Sequence, residues 1–249
     1  MRKMLLGVVA AAVLAGAVCT VAGAAPSQPP TIRLSWDQCD PLVFNKDFAG
    51  AAVYTMIVSG VNFQGTYQGG EMRLVLADYD YASTAIADAW RFETGGCNDG
   101  QLSSVTTGFS KACPALQGAR PLPLFQYDFN FPGAEALPNS GFLQWFTAFD
   151  PFDAVAATRY TVVQFRFDHG FSVAGPADPA VACGNADKPM CVVLRRYGYL
   201  NDVNVVVDTD VSYDNKILSW NDSANPGGRC PLTPSKPSTW GQIKASYRQ

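Results

Sequence analysis

Beyond Thr31, apolar and polar positions alternate with a period of two along much of the chain. In residues 71–77 (EMRLVLA), Met72, Leu74 and Leu76 share one face, against Glu71, Arg73 and Val75 on the other. In residues 160–167 (YTVVQFRF), Val163, Phe165 and Phe167 oppose Gln164 and Arg166. Comparable runs occupy 51–61, which stops at Asn62, then 89–92, 191–195, 202–208 and 216–220. Successive strand side chains point to opposite faces of a sheet. Short alternating segments punctuated by Gly, Asn, Asp and Pro are therefore a strand signature. With no amphipathic helices between them, they predict an all-β chain: an antiparallel β-sandwich, jelly-roll-like, with seven to ten strands in two sheets.

Three stretches depart from the alternation. Residues 110–123 (SKACPALQGARPLP) read as a long loop or a short helical turn tied down by Cys113. Residues 125–152 are crowded with aromatics, among them Phe125, Tyr127, Trp145, Phe146, Phe149 and Phe152. Residues 237–249 (PSTWGQIKASYRQ) predict a short helix. Thr239 and Gln242 have the T-x-x-Q spacing of a capping box, in which each side chain satisfies the other's exposed amide. Trp240, Ile243 and Tyr247 fall on one helical face, and Lys244 and Arg248 lie near the end where positive charge is favoured. Gly241 costs such a helix about 1 kcal/mol, and a helix this short does not persist in water unaided. The expectation is a helix docked through Trp240 over an open end of the sandwich, tethered by nearby Cys230. The competing reading is a tag recognised by another protein.

The first residues change the picture of where the chain works. Arg2 and Lys3 precede an apolar run from Leu5 to Val18, and Ala22-Gly23-Ala24 fits an A-x-A cleavage site. This is the pattern of a secretory signal peptide, with cleavage after Ala24, and the apolar run is too short for a spanning helix. Val18 stands where a lipoprotein signal would carry a small residue before Cys19. The expected division is a signal peptide at 1–24, a secreted β-sandwich domain at 25–236, and the helix at 237–249. The expected destination is the cell exterior, the cell surface or the periplasm, with no membrane insertion after cleavage.

Removing the leader leaves six cysteines, an even number that implies disulfides in an oxidising compartment. Zinc would want close C-x-x-C pairs or nearby histidines, and neither occurs. Local sequence supports one pairing, Cys183 with Cys191, closing the turn-rich loop CGNADKPMC. Loss of Arg2 and Lys3 leaves 16 basic against 21 acidic residues, a net charge of −5. An acidic chain without a Lys/Arg cluster argues against nucleic acid and anionic membranes as partners.

Three phrases occur together: LSWDQC at 34–39, FDHGFSVAGPADP at 167–179 with Cys183 following, and TPSKPSTWGQIKASYR at 233–248. Their combination resembles a group of uncharacterised exported proteins of environmental bacteria. The resemblance spans most of the mature chain. It implies secretion and a shared fold, and it transfers no site.

Candidate chemistry is sparse. His169 is the only histidine, in the run Asp168-His169-Gly170-Phe171-Ser172. Adjacent strand residues face opposite ways, so Asp168 is poorly placed to orient the imidazole. The segments GFSVA and GFSKA both lack the last glycine of a nucleophile elbow. Only three glutamates exist, Glu71, Glu93 and Glu135, in separate segments, which argues against a paired-carboxylate glycosidase. No catalytic residue is assigned, and the chain is read as a non-enzyme. Calcium suits alternating carboxylates where strands run into turns: Asp78 with Asp80, and preferably Asp208, Asp210 and Asp214. Ordinary aspartate turn chemistry is the plainer alternative. Aromatics carry the binding reading. Trp145, with Phe146, Phe149 and Phe152, or Trp90 beside Phe92, are platform candidates for a polysaccharide; the plainer reading of Trp36, Trp90 and Trp220 is core, and Trp145 is balanced between the two. The leading expectation is a secreted, non-catalytic binding module for extracellular polysaccharide or protein, with Ca²⁺ as a candidate structural ion. A structural or assembly component of the cell surface is second, and a hydrolase with an unrecognised site third.

Overall fold

A computed structural model describes residues 29–50, 52–63, 65–106, 113–116, 122–132, 136–172, 183–202, 205–206, 212–223 and 230. The expected signal peptide, the expected helix at 237–249, and Asp208 and Asp210 lie outside the described residues. Asp214 lies on a strand whose side chains at that position are likewise outside them.

Among the described residues, twelve strands form two sheets. In chain order they are β1 (Thr31–Trp36), β2 (Asn45–Lys46), β3 (Val53–Val61), β4 (Thr66–Asp78), β5 (Leu102–Val105) and β6 (Leu122–Phe129). There follow β7 (Gly141–Asp153), β8 (Tyr160–Asp168), β9 (Met190–Asn201), β10 (Val205–Val206), β11 (Ser212–Asn215) and β12 (Ile217–Trp220). The five-stranded sheet runs β11-β1-β3-β8-β5. The seven-stranded sheet runs β2-β12-β9-β4-β7-β6, with β10 paired to the far half of β9. Most neighbours are antiparallel, but β1 with β11 and β12 with β2 are parallel, so both sheets are mixed.

The sheets share one core. Ile32, Leu34, Trp36, Met56, Val58, Phe165 and Phe167 of the first meet Met72, Leu74, Leu76, Leu143, Trp145, Val192 and Leu218 of the second. This is the alternation of the sequence turned into two inward faces, as a sandwich requires. Trp36 and Trp220 pack across the gap with ring centroids 5.8 Å apart. The aromatic-rich stretch that breaks the simple pattern is the β6–β7 hairpin. Its rings are divided between faces: Tyr127 and Trp145 point inward and Phe146 outward.

Three disulfides staple the loops: Cys39–Cys113, Cys97–Cys183 and Cys191–Cys230. The expected Cys183–Cys191 link is therefore corrected. Cys191 sits within β9 opposite Ala77, on the face away from the shared core, where it packs with Val193 and Cys230. Cys183 is held elsewhere, its amide donating to the Phe171 carbonyl at 2.7 Å, beside the turn that carries Cys97. The turn residues between the two cysteines do shape a loop, but the strand directs the second thiol outward.

Candidate functional site

The two tryptophans suggested as platforms by the sequence do not reach the surface. Trp90 and Trp145 are both 0% exposed. Trp90 occupies a short 3-10 turn (Asp88–Trp90) and packs against Phe92, Phe167, His169 and Trp220. Trp145 is an inward residue of β7, between Leu143 and Thr147. A ring with no exposed face cannot stack on a sugar, so both are corrected from platform to core. Phe149 is half-buried, stacked 5.2 Å from Tyr67. Phe146 alone of the four projects into solvent, at 39% exposure.

The hydrolytic constellation is not assembled either. His169 is buried in an aromatic nest of Phe48, Tyr54, Trp90, Phe92 and Trp220. Burial drives its pKa down to about 4, against smaller opposing effects of Asp168 and the Ala89 backbone. Asp168 turns its Oδ1 to accept from the Gly170 amide at 2.8 Å, and Ser172 accepts from Asn98 Nδ2 at 3.4 Å. Asp78 and Asp80 display turn chemistry: Asp78 Oδ1 accepts from the Asp80 amide at 2.9 Å, and Asp80 accepts from the Ser83 hydroxyl. Among the described residues, no group of three or more His, Cys, Asp or Glu side chains could hold a metal ion.

What the tertiary structure does build is a surface on the outer face of the seven-stranded sheet. Register places side chains in rows across β6, β7, β4 and β9. One row is Leu124, Phe146, Glu71, Gly198. The next joins Ala148, Gly69 and Leu200. Beyond the first lies a polar row of Gln126, Gln144, Arg73 and Arg196. Leu124 is 70% exposed and Leu200 43%, so aliphatic and aromatic surface meets solvent across four strands. Between them a groove of about 240 Å³ is lined by Gly69, Gly70, Glu71, Thr147, Gly198 and Leu200, among others. Glycine is required at its floor. A Cβ on Gly69 would lie 2.5 Å from the Thr147 carbonyl oxygen, where β4 and β7 approach at a register shift. One wall carries an ion pair, Arg196 to Glu71 at 3.1 Å, and beyond Leu200 two acids, Asp202 and Asp153, hold the amide and hydroxyl of Thr66.

The other half of this face is covered. Val75, Ala77 and Phe142 lie beneath Phe131, Ala136 and Leu137, with Phe131 stacked on Phe142 at 4.7 Å. Cys191 and Val193 lie beneath Cys230 and Tyr79. Among the described residues nothing packs over the half that bears Leu124, Phe146, Ala148 and Leu200, beside two places where the same sheet is closed. Sequence reasoning named Phe146 but missed Leu124, Ala148 and Leu200. For Leu124 and Ala148 the signal was a local one: residues 122, 124, 146 and 148, which share the outward face, are all apolar, whereas Gln126 and Gln144 next to them are polar.

No family model matches the sequence, and no curated protein matches it. Among solved structures, the second type II cohesin module from the ScaA scaffoldin of Acetivibrio cellulolyticus is similar at 10% identity and a TM-score of 0.36, covering 76% of this chain and 94% of that one. The form of that module with its long C-terminal linker gives 11% identity and a TM-score of 0.39, with 85% and 97% covered. The seventh ScaB type I cohesin from Pseudobacteroides cellulosolvens gives 6% identity and a TM-score of 0.29, with 83% and 96% covered. At such scores the likeness carries nothing further to this chain.

Proposed function

We propose that this chain is an extracellular, non-catalytic binding module whose ligand is a protein, held on the open half of the seven-stranded sheet. The observation that supports this reading is the contiguous exposure of Leu124, Phe146, Ala148 and Leu200 around the glycine-floored groove. Contiguous exposed apolar surface with a polar rim is the usual mark of a protein contact. The groove is smaller than the ~300–1,000 Å³ of small-molecule pockets. It suits one anchoring side chain surrounded by flatter contacts, the way interface hot spots are built. Polysaccharide is the weaker choice, because the described tryptophans are buried and the exposed rings are phenylalanines. Three disulfides fit an oxidising, extracytoplasmic setting.

The test uses residues 25–249 immobilised beside a Leu124→Asp, Leu200→Asp variant, both exposed to the native extracellular fraction. The reading expects one protein retained by the first and lost from the second, with binding reproduced from purified components. Saturable binding to insoluble polysaccharides by both forms alike would sink it.

A further inference from the structure

We propose that strand β6 pairs with β6 of a second copy of this chain, joining the two seven-stranded sheets edge to edge in a symmetric dimer. The pairing needs nothing from the binding face proposed above, although it sets two such faces side by side.

β6 ends its sheet: among the described residues it pairs with β7 alone. Asn130, one residue past the strand and in the same register, donates its amide to the Ser140 carbonyl at 2.9 Å. Bonded positions in an antiparallel pair recur at every second residue. Leu124, Gln126 and Asp128 therefore turn their amides and carbonyls toward β7, whereas Phe125, Tyr127 and Phe129 turn theirs away from it. Pro123 falls on the outward set as well, the side of an edge strand where a missing N–H costs the ladder nothing. Leu124, Phe125 and Gln126 are exposed in succession, so both faces of the strand meet solvent here. Outward amides and carbonyls between exposed apolar side chains form a template for another strand.

A second copy fits this edge. About a two-fold axis through Gln126, Phe125 exchanges both backbone bonds with Tyr127 of the other copy, and Phe129 donates to the carbonyl of Pro123. The same register sets the exposed Phe125 ring beside Tyr127 of the other copy, an aromatic cross-strand pair of the kind that stabilises sheets. Asp128 is the only charged residue of β6, and it faces Leu124 of the other copy rather than its own equivalent, so like charges do not meet. The strand holds no lysine and its pairing with β7 no bulge, two devices that keep edges apart. Among the described residues the other sheet ends are short: β2 has two residues, one of them Lys46, and β5 and β11 have four each. Association through β6 therefore closes at two copies and does not run on into a fibre. Opposite residues of an antiparallel pair point to the same face, so the two open faces lie on one side of the joined sheet.

Sedimentation velocity on residues 25–249 over a wide concentration range reads the assembly. The expected result is a reversible monomer–dimer equilibrium with no larger species. Phe125→Pro deletes an outward amide without touching the ladder to β7, and should raise the dimer dissociation constant about tenfold. Gln126→Lys, at an exposed position, sets like charges together across the axis and should raise it about fivefold with an unchanged far-ultraviolet spectrum. Gln126→Glu should weaken the dimer in the same way, and an equimolar mixture of Gln126→Lys and Gln126→Glu should associate at least as tightly as wild type. A monomer at every concentration, a dimer indifferent to both Gln126 substitutions, a mixture no tighter than either variant alone, or polymers that lengthen with concentration would each overturn the proposal. Leu200→Asp lies on β9, set apart from β6 by β4 and β7. It should abolish capture of the external partner and leave the dimer intact, so the two proposals fail separately. A dimer lost in that variant would move the contact to the open face and overturn the edge pairing.

Discussion

His169 shows how far burial alone can set the chemistry of one residue. Its ring has five aromatic neighbours, and burial among them outweighs the opposing charge of Asp168, so its pKa falls from 6.5 to about 4. In the unfolded chain the imidazole takes up a proton below about pH 6.5, while the folded ring stays neutral until about pH 4. The unfolded state then binds more protons across that window, so stability falls as pH drops through it and is insensitive to His169 above it. The loss is on the order of 3 kcal/mol once pH is below 4. Urea titrations at pH 7 and pH 4.5 on wild type and His169→Phe check this: the variant is expected to lose much less of its stability on acidification. An equal loss in both would assign acid sensitivity to the carboxylates. Trp145 makes the second residue-scale prediction. As a fully buried ring it should cost about 3–5 kcal/mol when cut to alanine, seen in thermal melts, and any loss of binding should track the loss of folded protein.

At the scale of elements, strand alternation carries most of the information and its interruptions carry the rest. β4 and β8 are legible because Met72, Leu74 and Leu76, or Val163, Phe165 and Phe167, form one apolar set against polar neighbours. The β6–β7 hairpin is harder to read because both faces of β7 are apolar: Trp145 inward for packing, Phe146 and Ala148 outward on the open surface. The element that hides from pattern reading is thus the one that bears the candidate site. Leu124→Asp on β6, at 70% exposure, is expected to leave the melting temperature nearly unchanged. It should weaken partner binding at least about tenfold, as loss of a central apolar contact does. A calorimetric melt and a binding isotherm on the same preparation separate the two effects.

For the molecule as a whole, the disulfides bind loops to the sandwich across large separations. Cys39–Cys113 spans 74 residues, Cys97–Cys183 spans 86 and Cys191–Cys230 spans 39. Each is expected to contribute about 3–5 kcal/mol by restricting the unfolded chain, so reduction should lower the thermal midpoint steeply. Cys191→Ser, Cys230→Ser removes only the link on the outer face of β9, so its thermal midpoint should fall while the other two bonds stay intact. Peptide mapping under non-reducing conditions checks the pairing itself, and a Cys183–Cys191 peptide would contradict it.

The sequence by itself determined the all-β class, the strands with clean alternation, and an even set of cysteines suited to an oxidising compartment. These are local properties: periodicity, turn residues and cysteine parity act over a few residues or by composition alone. Tertiary structure decided which cysteines pair, that Trp90 and Trp145 are core, and that apolar residues from β6, β7, β4 and β9 meet in one open face. Each of those depends on register between strands far apart in the chain, such as Gly69 against Leu200 or Cys191 against Ala77. Register is set by packing of the whole core, and no single segment contains it.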